Sequence, residues 1–162
     1  MAFYQFHKAQ IINATPDDLW DFISSPSNLK LITPDHMGFD ITSSNAEQKM
    51  YEGMIVSYKV SPFPGFNTNW VTEITHVRDK EFFVDEQRIG PYTFWHHQHI
   101  LEPLDQVVVM KDIITYQPPF GILGAIANRV YIRKALNKIF NYRKKAIEEY
   151  FAERGLGYMT LV

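Results

Sequence analysis

From about Ile122 to Glu153 the chain carries no proline and a single glycine, Gly124, and is rich in Ala, Ile, Leu, Lys, Arg and Glu. That composition predicts one long helix. At 100° per residue, Ile132, Leu136, Ile139, Phe140, Ile147, Tyr150 and Phe151 fall in one broad arc, with Arg129 and Arg143 inside it. An apolar arc of that width must be covered by another layer of the protein. Gly155 and Gly157 are placed to end the helix.

The covering layer reads as sheet. Phe3 to Ile12 has strand-like spacing and stops at Asn13-Ala14-Thr15-Pro16. There Thr15 can cap a helix, Pro16 suits its first position and Asp18 completes a capping box. A short helix from Asp17 to Ser24 turns Leu19, Trp20, Phe22 and Ile23 inward, and Ser25-Pro26 starts a second that runs to about Leu31 and is ended by Thr33-Pro34. Strands are expected near Phe39 to Thr42, then Met54 to Val60, Asn69 to Val77, Glu81 to Gln87, Tyr92 to Leu101 and Val107 to Tyr116. Turns separate most of them: Pro62-Phe63-Pro64-Gly65, Arg78-Asp79-Lys80, Gly90-Pro91 and Glu102-Pro103-Leu104-Asp105. Short connections with no helix between them predict an antiparallel meander. The expected fold is α+β: one domain over residues 1–162, with a curved antiparallel sheet of six to seven strands wrapped around the long C-terminal helix and two short helices after the first strand. A strongly twisted sheet around a straight helix is hard to fill completely, so a cavity is the expected by-product.

Aromatic residues make up 15% of the chain, which suits a lined cavity as well as a dense core. With no cysteine, disulfides, thiolate metal sites and cysteine nucleophiles are excluded. A net charge of −2 gives no general attraction to nucleic acid or an anionic membrane. The basic residues Arg129, Arg133, Lys134, Lys138, Arg143, Lys144 and Lys145 scatter around the helix and read as a solvated flank. No apolar run is long enough to span a bilayer, and Met1 to His7 alternates instead of forming a signal segment, so no stable membrane insertion and a cytoplasmic location are expected. The chain is expected to act as a monomer or homodimer. No Ser-His-Asp order, phosphate-binding glycine loop or nucleotide fingerprint is present.

Alternation sorts the strands into faces. Lys111 points to water, which puts Val108, Met110, Asp112, Ile114 and Tyr116 inside and makes Asp112 a candidate buried carboxylate. Trp95, His97, His99 and Leu101 share the inner face of their strand, opposite His96 and Gln98. Lys59 faces out, so Tyr58 joins Val56 and Val60 inside, and Trp70 falls with Ile74. In Glu81 to Gln87, alternation does not choose between Phe83, Asp85, Gln87 and Phe82, Val84, Glu86. A guanidinium on a buried face needs a carboxylate or a ligand anion. For Arg143 the obvious partners are Asp85 and Asp112, with His97 bridging.

The order of elements is similar to the helix-grip fold of the START, polyketide cyclase and plant pathogenesis-related allergen (Bet v 1-like) superfamily. Phe83-Val84-Asp85-Glu86-Gln87, Gly90-Pro91-Tyr92, Trp95-His96-His97-Gln98-His99, Asp112 to Tyr116, Pro119-Phe120-Gly121 and Ile139 to Arg143 resemble a bacterial subgroup, the ligand-binding SRPBCC-domain proteins. Some of these are fused to a nucleotide-sugar epimerase-like domain, for which this chain has no room. The resemblance implies a hydrophobic small-molecule ligand, covers nearly the whole chain, and turns Phe83, Asp85 and Gln87 inward. It does not imply one activity, because the superfamily includes carriers, receptors, cyclases and oxygenase subunits.

Three functions remain open at this stage. The first is a non-catalytic binding protein, with Tyr58, Trp70, Asp85, Gln87, Trp95, His97, His99, Asp112, Tyr116 and Arg143 around an apolar or aromatic molecule. The second is a cyclase- or dehydratase-like enzyme, with His97 as acid or base oriented by Asp85 or Asp112. The third is an interaction module whose rings fill the space. His97 and His99 also read as satisfied core histidines, and Asp85, Asp112 and Arg143 as a structural ion-pair network. A two-His, one-carboxylate metal set is possible from the spacing but not compelled by it, and no metal or cofactor is expected.

Overall fold

The computed structural model describes residues 2–63 and 66–156. Seven strands form one antiparallel sheet: β1 (Tyr4–Ile12), β2 (Asp40–Ile41), β3 (Met54–Phe63), β4 (Phe66–Arg78), β5 (Phe82–Ile89), β6 (Phe94–Leu104) and β7 (Val107–Gln117). Their order across the sheet is β1-β7-β6-β5-β4-β3-β2. The meander from β3 to β7 is as expected, and β1 closes on β7 in a register that pairs Tyr4 with Tyr116 and Ile12 with Val108.

Helix α1 (Pro16–Ile23) follows β1, and two 3₁₀ turns, Pro26–Lys30 and Asp35–Met37, lead to β2. Thr15 caps α1 by accepting the Asp18 N–H at 3.1 Å, and its hydroxyl donates to Asp18 Oδ2 at 2.6 Å. Half of the capping box therefore forms between the two side chains. The segment after α1 is tied down by its own hydrogen bonds, with Thr33 donating its hydroxyl to the Leu29 carbonyl at 2.6 Å.

The turns differ from expectation at two places. Pro103 and Leu104 continue β6, paired with Val108 and Val107, and the reversal occurs at Asp105, whose φ is 52°. The ladder between β5 and β6 ends at Phe82 and Ile100, so Pro103 sits where β6 has a neighbour on one side only and a missing N–H is tolerated. Pro62 and Phe63 likewise belong to β3 and not to a turn. Pro64, Gly65 and Gly157 lie outside the described residues.

The C-terminal helical segment is α2 (Ile122–Ala127), a wider π-type turn (Asn128–Ile132), and α3 (Arg133–Phe151). A π-turn inserts a residue into the helical ladder and shifts the phase of everything before it. That shift moves Arg129 out of the apolar arc: Arg129 is exposed, while Asn128 and Ile132 are buried. Beyond α3 the chain turns at Gly155, with φ 71°. Among the described residues no helix is long and apolar enough to cross a membrane.

The core lies in two parts under α3. One joins the inner face of α1 to Ile147 and Phe151; the other joins Phe6, Trp70, Trp95 and Tyr116 to Ile132, Leu136 and Phe140. Each fully buried aliphatic or aromatic side chain stabilises by roughly 1.5–3 kcal/mol, so α3 is held strongly at both ends. Between the two parts the sheet presents polar groups.

Candidate functional site

The register places Asp85 opposite His97 and His99 opposite Asp112, so three adjacent strands bring two carboxylates and two imidazoles onto one inner face. The contacts close into a ring. His97 Nε2 donates to Asp112 Oδ1 at 2.9 Å, and its Nδ1 is 3.3 Å from Asp85 Oδ2. His99 Nε2 donates to the same Asp85 oxygen at 2.8 Å, and its Nδ1 lies 3.1 Å from Asp112 Oδ1 without hydrogen-bond geometry. Arg143 reaches over from α3, its Nη1 3.9 Å from Asp112 Oδ1 and its guanidinium 4.7 Å from the Phe140 ring centre.

Rings hold the imidazoles in place. Phe83 stacks on His99 with centroids 4.1 Å apart, Phe140 meets His97 edge-on at 5.7 Å, and the two imidazoles are 3.7 Å apart. The electrostatics follow from burial without solvent screening. For His97, burial acts to lower the pKa, but the carboxylates of Asp85 and Asp112 outweigh it and the net shift is upward. For both Asp85 and Asp112, burial acts to raise the pKa, and contacts with His97 and His99 reverse that and hold each well below the usual carboxylate range. With both nitrogens facing carboxylates, the surroundings of His97 favour its protonated form. In that form its charge and that of Arg143 balance the two carboxylates.

This polar cluster floors a cavity of about 150 Å³ between α3 and the sheet. Aromatic walls rise from Tyr58, Trp70, Tyr92, Trp95 and Phe140, while Leu29, Thr33, Met37 and Phe39 border it from the segment between α1 and β2. Thr72 joins two of these walls: the Trp70 Nε1–H donates to its hydroxyl at 3.0 Å, and the Tyr58 hydroxyl lies 2.9 Å away. Burial, reinforced by the Asp85 charge, pushes the Tyr58 phenol far up, so it stays protonated.

No protein-family model matches the sequence, and no curated protein matches it either. Solved structures do match the fold. TTHA0849 from Thermus thermophilus has a TM-score of 0.71 at 14% identity, covering 93% of this chain and 99% of its own. A norcoclaurine synthase point mutant from Thalictrum, in complex with a transition-state analogue, has a TM-score of 0.62 at 16% identity, with 92% and 96% covered. Ara h 8.0201 has a TM-score of 0.56 at 12% identity, with 90% and 98% covered. This is the helix-grip fold.

Within the helix-grip frame, the site residues expected from sequence fall into two groups. Tyr58, Trp70, Asp85, Trp95, His97, His99 and Arg143 all face the cavity. Asp112 lies behind the imidazoles and touches the cavity only through them. Gln87 and Tyr116 stand off the wall. Gln87 staples the turn before β6, its side chain donating to the Tyr92 carbonyl at 2.7 Å and accepting from the Tyr92 N–H at 3.2 Å. Tyr116 donates its hydroxyl to Asn128 Oδ1 at 2.7 Å and so anchors the π-turn to the sheet.

Other wall residues were missed. Thr72 stands between Trp70 and Ile74 in the same alternating set, and that signal was enough to find it. Tyr92 leaves no such trace, because it precedes β6 and is aimed at the cavity by the Gln87 staple.

Proposed function

We propose that this chain is a helix-grip ligand-binding domain that holds a small apolar or aromatic molecule between α3 and the sheet. The polar end of that molecule faces Asp85, His97, His99 and Arg143. The observation carrying this reading is the aromatic cavity with a charged, ordered floor. Its volume of about 150 Å³ is that of an engineered apolar cavity that binds benzene, so it suits a single ring or short chain without rearrangement. A cavity of this size speaks against an interaction module with a filled core.

An acid–base enzyme is the second reading, favoured by one feature. His97 bridges two carboxylates that favour its protonated form, which suits a general acid at the cavity floor. A norcoclaurine synthase point mutant among the structural neighbours is in complex with a transition-state analogue, so this fold carries an enzyme in that protein.

Native mass spectrometry of freshly purified protein, followed by extraction, tests the binding reading. A reproducible co-purifying small molecule that is retained by His96→Gln and lost from Arg143→Ala supports it. A protein that is empty and also fails to shelter a hydrophobic fluorescent probe from water overturns it.

A further inference from the structure

The ring of two aspartates and two histidines has a property that ion pairing does not explain. One of its four imidazole nitrogens, His99 Nδ1, is buried and makes no hydrogen bond, although a carboxylate oxygen lies 3.1 Å away. His99 donates through Nε2, so a neutral ring leaves the Nδ1 lone pair 3.1 Å from a carboxylate oxygen of Asp112 with no proton between them. Two acceptors so close in a buried site cost free energy.

That conflict disappears if a cation, not a proton, occupies the Asp85 side. One ligand atom from each of Asp85, His97 and His99 lies within 4.8 Å of the others. Asp85 Oδ2 is 3.3 Å from His97 Nδ1 and 2.8 Å from His99 Nε2. Ligands about 2.0–2.2 Å from a tetrahedral ion sit roughly 3.3–3.5 Å apart, so the first of these separations already matches and the second must widen. With those two nitrogens turned to an ion, the remaining protons move to His97 Nε2 and His99 Nδ1. The first then donates to Asp112 Oδ1 at 2.9 Å, and a turn of the His99 ring brings the second, 3.1 Å away, into line with the same oxygen. A metal-bound histidine characteristically gives its other N–H to a carboxylate in this way. Asp112, off the cavity wall and steadied by Arg143, is placed for that supporting role.

We propose that Asp85, His97 and His99 form a binding site for one divalent transition-metal ion, oriented from behind by Asp112 and open to the cavity on its free side. Two imidazoles and one carboxylate select a borderline cation such as Zn²⁺, Co²⁺ or Fe²⁺ over Mg²⁺ or Ca²⁺. All three ligands line the cavity, so the open coordination position faces the bound molecule. It would accept an anionic oxygen, a carboxylate or phenolate on a small ring. The metal site does not depend on the organic ligand, and its test requires none.

Titrating chelator-treated full-length protein with Co²⁺ and following visible d–d absorption tests the proposal. The expected result is one Co²⁺ per chain with nitrogen–oxygen ligand bands, displaced by Zn²⁺. Binding should be lost in Asp85→Asn and His99→Gln, weakened about 10–100-fold in Asp112→Asn, and unchanged in His96→Gln, whose imidazole faces Glu86 on the other side of the sheet. Circular dichroism reports whether each variant folds. Failure of the wild-type protein to take up Co²⁺ overturns the proposal whatever the variants do. So does uptake that survives Asp85→Asn and His99→Gln in folded protein.

Discussion

His97 and Asp112 meet diagonally across β6 and β7: the register pairs Asp112 with His99, yet its Oδ1 accepts the His97 Nε2–H at 2.9 Å. One carboxylate thus bonds His97 and lies 3.1 Å from His99 Nδ1, and removing it leaves both imidazoles with Asp85 alone. Taking away one partner of a buried ion pair costs about 3–5 kcal/mol, because the other charge is left uncompensated. Asp112→Asn is expected to lower stability by that amount, and adding it to His97→Gln should cost much less than the sum of the two. Urea unfolding of the single and double variants measures the coupling. Additive losses would mean that the two side chains do not share an interaction.

The cluster also fixes a pH window. Folding depresses the pKa values of Asp85 and Asp112, so their contribution is present above the unfolded carboxylate value and lost as pH falls through the folded values. Folding raises that of His97, so its contribution is complete below the unfolded histidine value and lost as pH rises through the folded one. The titratable and charged groups at His97 are Asp85 from β5, His99 from β6 and Asp112 from β7, with Arg143 from α3 near Asp112. In metal-free buffer, all contributions coincide between about pH 4 and pH 6.5. The stability gap between wild type and His97→Gln should be widest there and narrow at alkaline pH. A gap that stays constant to about pH 10, where an ordinary histidine is fully neutral, would show that His97 carries no charge in the fold.

Most of this site could be read from the sequence because strands alternate with a period of two. Trp95, His97 and His99 on one strand and Asp112 on another follow from the outward lysine and the apolar ends alone. The helix was less legible. A constant 100° per residue places Arg129 with Arg143, and only the π-turn, which has no sequence signature here, separates them. Gln87 shows a different limit. Alternation groups it with Phe83 and Asp85, but near a strand end a polar side chain finds the nearest backbone, here that of Tyr92. The void itself is a matter of packing, and whether aromatic residues fill or line it depends on distances that no residue pattern encodes.

Gly124 governs how closely α2 packs on the Pro118-Pro119 turn that follows β7. A Cβ there would lie 2.0 Å from the Pro119 carbonyl oxygen, which is backbone and cannot swing aside. Gly124→Ala should therefore push α2 away from the Pro118-Pro119 turn at a cost of about 1–3 kcal/mol. Faster amide hydrogen exchange at Ala125, whose N–H bonds the Gly121 carbonyl at 3.0 Å, is the local signature. Unchanged exchange and melting would mean that this close approach is absent in solution.

Thr72 gives the cavity wall its shape at small cost in size. Its hydroxyl accepts the Trp70 indole proton and lies within bonding distance of the Tyr58 phenol, so two large rings take their orientation from one oxygen. Thr72→Val keeps the volume but removes that oxygen, leaving the buried Trp70 N–H without its acceptor. An unsatisfied buried donor costs about 1–3 kcal/mol. The loss should appear in urea unfolding, together with a changed tryptophan emission as Trp70 turns to find water or another acceptor. Thr72→Ser retains the hydroxyl and should keep the emission of the wild type, although it loses the methyl group. If serine perturbs the emission and valine does not, the methyl and not the hydroxyl sets the ring geometry, and the wall is held by packing alone.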